Sequence, residues 1–186
     1  MNYIINNYKE LFCNKLPLVV FDLETTGLNA NTDRIIELAA LRIENEEITS
    51  SISTLVNPGI EVPYYATKVN GITTNMLTGQ VSDTEIVIKF NEICRNAIII
   101  AHNVNFDIGF INASLNRLNM AQLNNQLVDT VRLARKAFPG LKNYKLGSLA
   151  QDLNIEVYSS HRAEDDTRVC YEIFNKCLNK LKSLEK

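Results

Sequence analysis

The stretch Leu16-Pro17-Leu18-Val19-Val20-Phe21-Asp22-Leu23 runs directly into Glu24-Thr25-Thr26-Gly27-Leu28. Its first part is almost continuously apolar, the pattern of a β-strand buried on both faces rather than one with a wet side. Such a strand needs covering layers, so the segment predicts a sheet lying between helices. Two carboxylates, Asp22 and Glu24, then stand at its end, and strand periodicity puts both on the same side of the sheet.

Outward from this strand, Ile35 to Ile43 and Ile48 to Val56 read as two more strands, the second alternating like a half-exposed one, and short polar joins predict an antiparallel meander. Beyond it the pattern changes. Pro63 to Leu77 predicts short helices, Asp83 to Asn96 a helix, Ala97 to Ala101 a buried strand and Asn105 to Leu118 a helix. Leu127 to Asp129 reads as a short strand, and Thr130 to Phe138, Lys145 to Leu153 and Ala163 to Leu181 as helices. A meander followed by strand–helix alternation makes an α/β mixed sheet with helices on its faces. Residues 1–16 read as an appended amphipathic helix, with Ile4, Ile5, Tyr8, Leu11 and Phe12 near helical spacing. Residues 17–186 read as one domain, because no Pro- or Gly-rich linker divides them.

The 186 residues are 46% apolar and 22% charged, the usage of a globular chain, and 186 residues suffice for one full core. The longest purely aliphatic stretch, Ala97 to Ala101, is far below the roughly 20 residues of a membrane span. Met1 to Lys15 lacks the basic start and apolar core of a secretory signal, so a cytoplasmic location is expected. Cys13, Cys94, Cys170 and Cys177 form no Cys-x-x-Cys pair and are expected to be buried small hydrophobes. A net charge of −2 excludes attraction of a polyanion by the field of the whole protein.

Three polar clusters interrupt this pattern. Asp22 and Glu24 repel each other unless a cation or water relieves them, and sites beyond the carboxyl ends of strands are where open sheets bind ligands. Ala101-His102-Asn103-Val104-Asn105-Phe106-Asp107 places an acid in the first turn of a helix, which the helix dipole alone would favour. His161-Arg162-Ala163-Glu164-Asp165-Asp166 joins one of only two histidines to an acidic helix start, suited to a base beside metal-bound water or to ordinary capping. Spacing leaves Asp165 and Asp166 equivalent.

Taken in order, Asp22-Leu23-Glu24-Thr25-Thr26-Gly27-Leu28, His102-Asn103-x-x-Phe106-Asp107 and His161-Arg162-Ala163-x-x-Asp166 resemble the three motifs of the DEDDh 3'-5' exonucleases. Among these the chain is similar to the proofreading exonucleases of bacterial DNA polymerase III, the epsilon subunit and the PolC-type module. The resemblance runs from about Leu18 to Leu178, with Glu164, Thr167 and Asn70 as modest departures. It implies a ribonuclease-H-like three-layer fold with a five-stranded mixed sheet flanked by helices. It also selects Asp166 over Asp165, and it places the histidine branch's base at His161.

By the same resemblance, Asp22, Glu24, Asp107 and Asp166 are the metal ligands, holding two divalent cations, Mg2+ or Mn2+. His161 is the general base. Thr25, Thr26, Gly27, Leu28, Ile72, His102, Asn103 and Phe106 are the substrate contacts, joined by His161. The substrate implied is a single-stranded 3' end, DNA favoured over RNA, and the partner a DNA polymerase III catalytic subunit. The alternatives are a 3'-5' exoribonuclease of the ribonuclease T or oligoribonuclease kind and a non-catalytic nucleic-acid-binding polymerase subunit. Arg132, Arg135, Lys136, Lys142 and Lys145 form the densest basic segment, suited to tracking a strand or to solvation alone. Two bound divalent ions would move the net charge from −2 to +2, so substrate binding is expected to depend on metal.

Overall fold

In the computed structural model, which describes residues 3–159 and 161–185, the opening apolar stretch forms the central strand of a seven-stranded sheet. In chain order the elements are β1 (Tyr3–Ile4), a 3-10 turn (Tyr8–Cys13), β2 (Leu18–Thr25), β3 (Ile35–Glu44), β4 (Glu47–Asn57), α1 (Tyr64–Asn70), α2 (Thr74–Leu77) and β5 (Val81–Ser82). There follow α3 (Asp83–Ile93), β6 (Ile98–Ala101), α4 (Val104–Arg117), β7 (Gln126–Asp129), α5 (Thr130–Ala137), α6 (Leu146–Asp152) and α7 (Ala163–Ser183).

The sheet order is β1-β7-β6-β2-β3-β4-β5. The five strands expected from sequence, β7, β6, β2, β3 and β4, are its contiguous centre, and a two-residue strand extends each edge. β2, β3 and β4 form the antiparallel meander, while β6 and β7 run parallel to β2. The fold is therefore the mixed α/β three-layer arrangement that the sequence predicts.

The alternation along β2 assigns the layers. Val19, Phe21 and Leu23 enter one core with Phe90 of α3 and Ile108 and Ile111 of α4. Val20 enters the other, beneath Leu133 of α5, Leu149 of α6 and Val169 and Ile173 of α7. Asp22 and Glu24 share the parity of Val20, so the acids lie toward α7. Each fully buried side chain such as Phe21 stabilises the sheet by roughly 1.5–3 kcal/mol, which offsets the repulsion concentrated at the strand's end.

From Tyr3 onward the N-terminal segment departs from the helix expected over residues 1–16, of which Met1 and Asn2 lie outside the described residues. Tyr3 and Ile4 pair parallel with Gln126 and Leu127, Ile5 N–H donates to the Leu127 carbonyl at 2.8 Å, and only Tyr8–Cys13 is helical. Without this segment β7 would expose an unpaired edge, and the edge takes Tyr3–Ile4 as a strand. Ile5, Tyr8 and Leu11 are buried in the second core, so the spacing marked residues that pack, while the conformation came from β7. Cys94, Cys170 and Cys177 are buried and unpaired as expected, whereas Cys13 is exposed. Among the described residues no helix is long and apolar enough to cross a membrane.

Candidate active site and metal centre

β2 carries Asp22 and Glu24 to the end of the sheet, where the β2–β3 register shifts between Glu24 and Thr25, an irregularity of the kind that re-aims side chains. β6 ends at Ala101, the chain turns through His102 and Asn103, and α4 begins with Asp107 in its first turn, 3% exposed. α7 brings Asp166 in its first turn, and His161, whose φ is +59°, precedes the helix's N-cap Arg162. All four acids and His161 line one cleft of about 570 Å3, together with His102, Phe106 and Lys145. Ligand atoms of Glu24, His161 and Asp166 lie within 4.8 Å of one another.

The electrostatics of the four acids fit a cation site. Burial raises the Asp22 carboxyl well above the ordinary range, and Asp107, Asp166 and Glu24 add to the shift. Burial raises Asp107 too, against the backbone N–H groups of Asp107 and Leu23 that favour its charge. Glu24 is pushed up to about 7, by burial first, although Asn70 donates to it at 3.2 Å. Asp166 is pushed up to about 6, again by burial, with His161 opposing. Two carboxylates about 4 Å apart repel by about 4 kcal/mol at an effective dielectric of 20. Four acids in one cleft thus fit divalent cations, and an oxygen-dominated donor set suits Mg2+ or Mn2+ better than a thiophilic metal.

The two acids that spacing left equivalent face opposite ways. Asp166 lines the cleft, whereas Asp165 accepts from the backbone N–H groups of Tyr158 and Ser159 at 2.7 and 2.8 Å and from Arg168 Nε at 2.9 Å. Burial works against its charge, but these donors prevail and hold Asp165 below its ordinary pKa. Asp165 thereby ties down the backbone of Tyr158 and Ser159.

The expected substrate contacts divide. Phe106 is half-buried in the cleft, its ring 5.1 Å from that of Phe110. Both nitrogens of His102 are engaged, Nδ1 with Thr130 Oγ1 at 2.8 Å and Nε2 with the Tyr144 carbonyl at 3.0 Å, so it lines the cleft as a strut. Asn103 is the exposed, left-handed N-cap of α4. Thr26 is fully buried and its N–H is bonded to the Arg34 carbonyl, leaving Thr25, Gly27 and the 86%-exposed Leu28 as the accessible part of that turn. Ile72 does not flank the cleft. It is fully buried with Ile36 and Leu77, because its place after the α1 cap turns it into this satellite core.

Two supports of the cleft, Glu37 and Asp33, were not singled out by motif reasoning, and a third, Asn70, stood there only as a departure. Glu37, 4% exposed, accepts from Arg162 and from Ala163 N–H and so seats the start of α7. Asp33 braces the Thr25–Leu28 turn by accepting from Asn29 N–H at 2.9 Å. Asn70 joins the end of α1 to Glu24. The departures Glu164 and Thr167 also find partners, Ser53 Oγ at 2.7 Å and the Ala39 carbonyl at 3.2 Å. Glu37 is a lone acid in an apolar run with its partner Arg162 125 positions away, and Asn70 meets Glu24 46 positions away, so nothing local marks either, while Asp33 belongs to the polar turn that it braces.

A three-layer α/β fold with four convergent acids and a histidine at the carboxyl ends of its central strands defines a phosphodiester-processing class of site. The chain belongs to the RNase_T exonuclease family, whose profile matches residues 19–174. It is 40% identical over 179 residues to the PolC-type DNA polymerase III of Clostridium perfringens, covering 96% of this chain and 12% of that one. It is 42% identical over 161 residues to the DNA polymerase III subunit epsilon of Treponema pallidum, covering 86% and 75%. The chain thus spans about an eighth of the PolC-type relatives' length and three quarters of the epsilon relative's. E. coli exonuclease I, solved with a dA16 oligonucleotide, shares the fold with a TM-score of 0.76 at 20% identity, over 89% of this chain and 41% of that one.

Proposed function

We propose that this chain is a metal-dependent 3'-5' exonuclease that removes nucleoside 5'-monophosphates from single-stranded DNA ends, in proofreading or repair alongside a DNA polymerase III catalytic subunit in the cytoplasm. The observation that carries the proposal is the convergence of Asp22, Glu24, Asp107, Asp166 and His161 in one cleft of an exonuclease-family chain. DNA is favoured over RNA because the relatives are DNA polymerase III proteins.

Asp22, Glu24, Asp107 and Asp166 would hold two divalent ions, Mg2+ or Mn2+. When bound, such ions lower the pKa of water and neutralise charge developing at phosphorus. His161, exposed beside Glu24 and Asp166, takes a proton from the attacking water at a ring nitrogen. Phe106 stacks on a terminal base, and the Thr25–Leu28 turn borders the scissile linkage. His102 fixes the wall by tying β6 to the loop before α6.

The test is degradation of matched 5'-labelled DNA and RNA 12-mers with Mg2+, Mn2+ or EDTA. The proposal expects a ladder shortening from the 3' end, faster on DNA and abolished by EDTA. EDTA-insensitive cleavage or binding without cleavage would overturn it. Faster RNA cleavage would assign the same chemistry to an exoribonuclease. Co-elution with the polymerase catalytic subunit tests the partner.

A further inference from the structure

A second groove, of about 710 Å3, opens beside the acidic cleft, and the two share His102, Lys145 and Leu146. Its character is opposite. Arg135, Lys142 and Lys145 line it with the amides of Asn103 and Asn143 and the ring of Tyr144, and no carboxylate does. In a chain with 21 acids and 19 lysines and arginines, this is a local separation of charge at the mouth of the acidic site. Among the described residues none of the three cations is in an ion pair. Arg132 and Lys136, on the same basic segment, do not line the groove, so the tertiary structure selects three cations from the five.

The groove is framed in advance of any ligand. The Tyr144 carbonyl is tied to His102 Nε2 at 3.0 Å, and its hydroxyl donates to the Phe138 carbonyl at 2.8 Å. Lys145 N–H donates to Asn143 Oδ1 at 3.1 Å, and the Arg135 guanidinium lies 5.5 Å from the Tyr144 ring centroid. A framed surface of cations, amide donors and one ring matches the backbone and bases of a single strand.

We infer that this groove carries the phosphodiester backbone of the strand upstream of the 3' end, with Lys145 at the junction and Lys142 and Arg135 as the outer phosphate contacts. The inference rests on the exonuclease reading of the cleft and gives it a substrate path. It explains how a chain of net charge −2 engages a polyanion: attraction is confined to one groove that leads to the acidic site.

The experiment measures fluorescence anisotropy of labelled dT12 and dT3 between 50 and 200 mM NaCl, with Mg2+, on the Asp22→Asn background so that the strand is not consumed. Arg135→Gln/Lys142→Gln should weaken dT12 binding by about tenfold at 50 mM salt and lower the log–log salt slope by about 1.4, while dT3 binding changes little. Lys89→Gln/Lys176→Gln removes the same charge from exposed positions outside both cavities and should leave the slope nearly unchanged. Equal losses in the two double variants, or an unweakened dT12 complex in the groove variant, would overturn the inference. Release of mononucleotides by the unmodified chain is scored separately, so a failure of the exonuclease reading shows as absent hydrolysis and a failure of the groove as unaltered binding.

Discussion

Arg162 and Glu37, 125 residues apart in the chain, form a forked pair: Arg162 Nε and Nη2 donate to Glu37 Oε1 at 3.0 and 2.7 Å, and Ala163 N–H donates to Oε2 at 3.0 Å. The carboxylate is buried and the guanidinium side chain is 43% exposed, so the pair lies between the surface and buried limits. Arg162→Ala, which leaves Glu37 with fewer donors, should cost about 1–3 kcal/mol in urea denaturation. Because His161 and Asp166 flank this anchor, the same variant should lower kcat more than it raises KM. A variant as active as the parent would show that the anchor serves stability alone.

Asp22 stands where the repulsion is greatest. Asp22→Asn should abolish nuclease activity while raising the melting temperature of the EDTA-treated protein, since a neutral amide removes one charge from the cluster. Calorimetry and a nuclease assay on the same preparation check both. His161→Ala, by contrast, should keep metal-dependent stabilisation and lose about 10^2–10^4-fold in turnover, the range for removal of a general base.

The acids also set a pH dependence for the metal-free protein. Glu24 and Asp166 have folded pKa values of about 7 and about 6, above their ordinary values. Protonation therefore favours the folded state: their contribution is full below about pH 4 and is lost as pH rises through 6 and 7. In EDTA the melting temperature should fall between pH 5 and 7.5, and Mg2+ or Mn2+ should restore it most at the alkaline end. A flat profile in EDTA would mean that the acids are solvated rather than packed together.

Gly27 has no room for a side chain, because a Cβ would lie 2.4 Å from Asp33 Oδ2. Gly27→Ala should displace the Asp33 carboxylate from Asn29 N–H, at about 1–3 kcal/mol. Activity should fall with it, since the turn directly follows Glu24, which lines the cleft. Gly27→Ala combined with Asp33→Ala should recover part of the stability, which a double-mutant cycle measures.

What was legible in the sequence was local. The unbroken apolar run of β2, the alternation in β4 and the helical spacing of α7 each depend on residues a few positions apart, because burial acts on faces with periods of 2 and 3.6. The acids at the end of β2 were visible for the same reason, as charges where the pattern demands none. The tertiary structure decided what depends on distant partners. Asp165 turns from the cleft because Tyr158, Ser159 and Arg168 supply donors, while Asp166 meets Glu24, 142 positions away in the chain but adjacent across the cleft. Ile72 is buried by Ile36 and Leu77, Tyr3 and Ile4 become a strand because β7 has an edge, and Glu37 gains its role only once Arg162 arrives. Periodicity tells a residue which way to face, but only the folded chain determines what it faces.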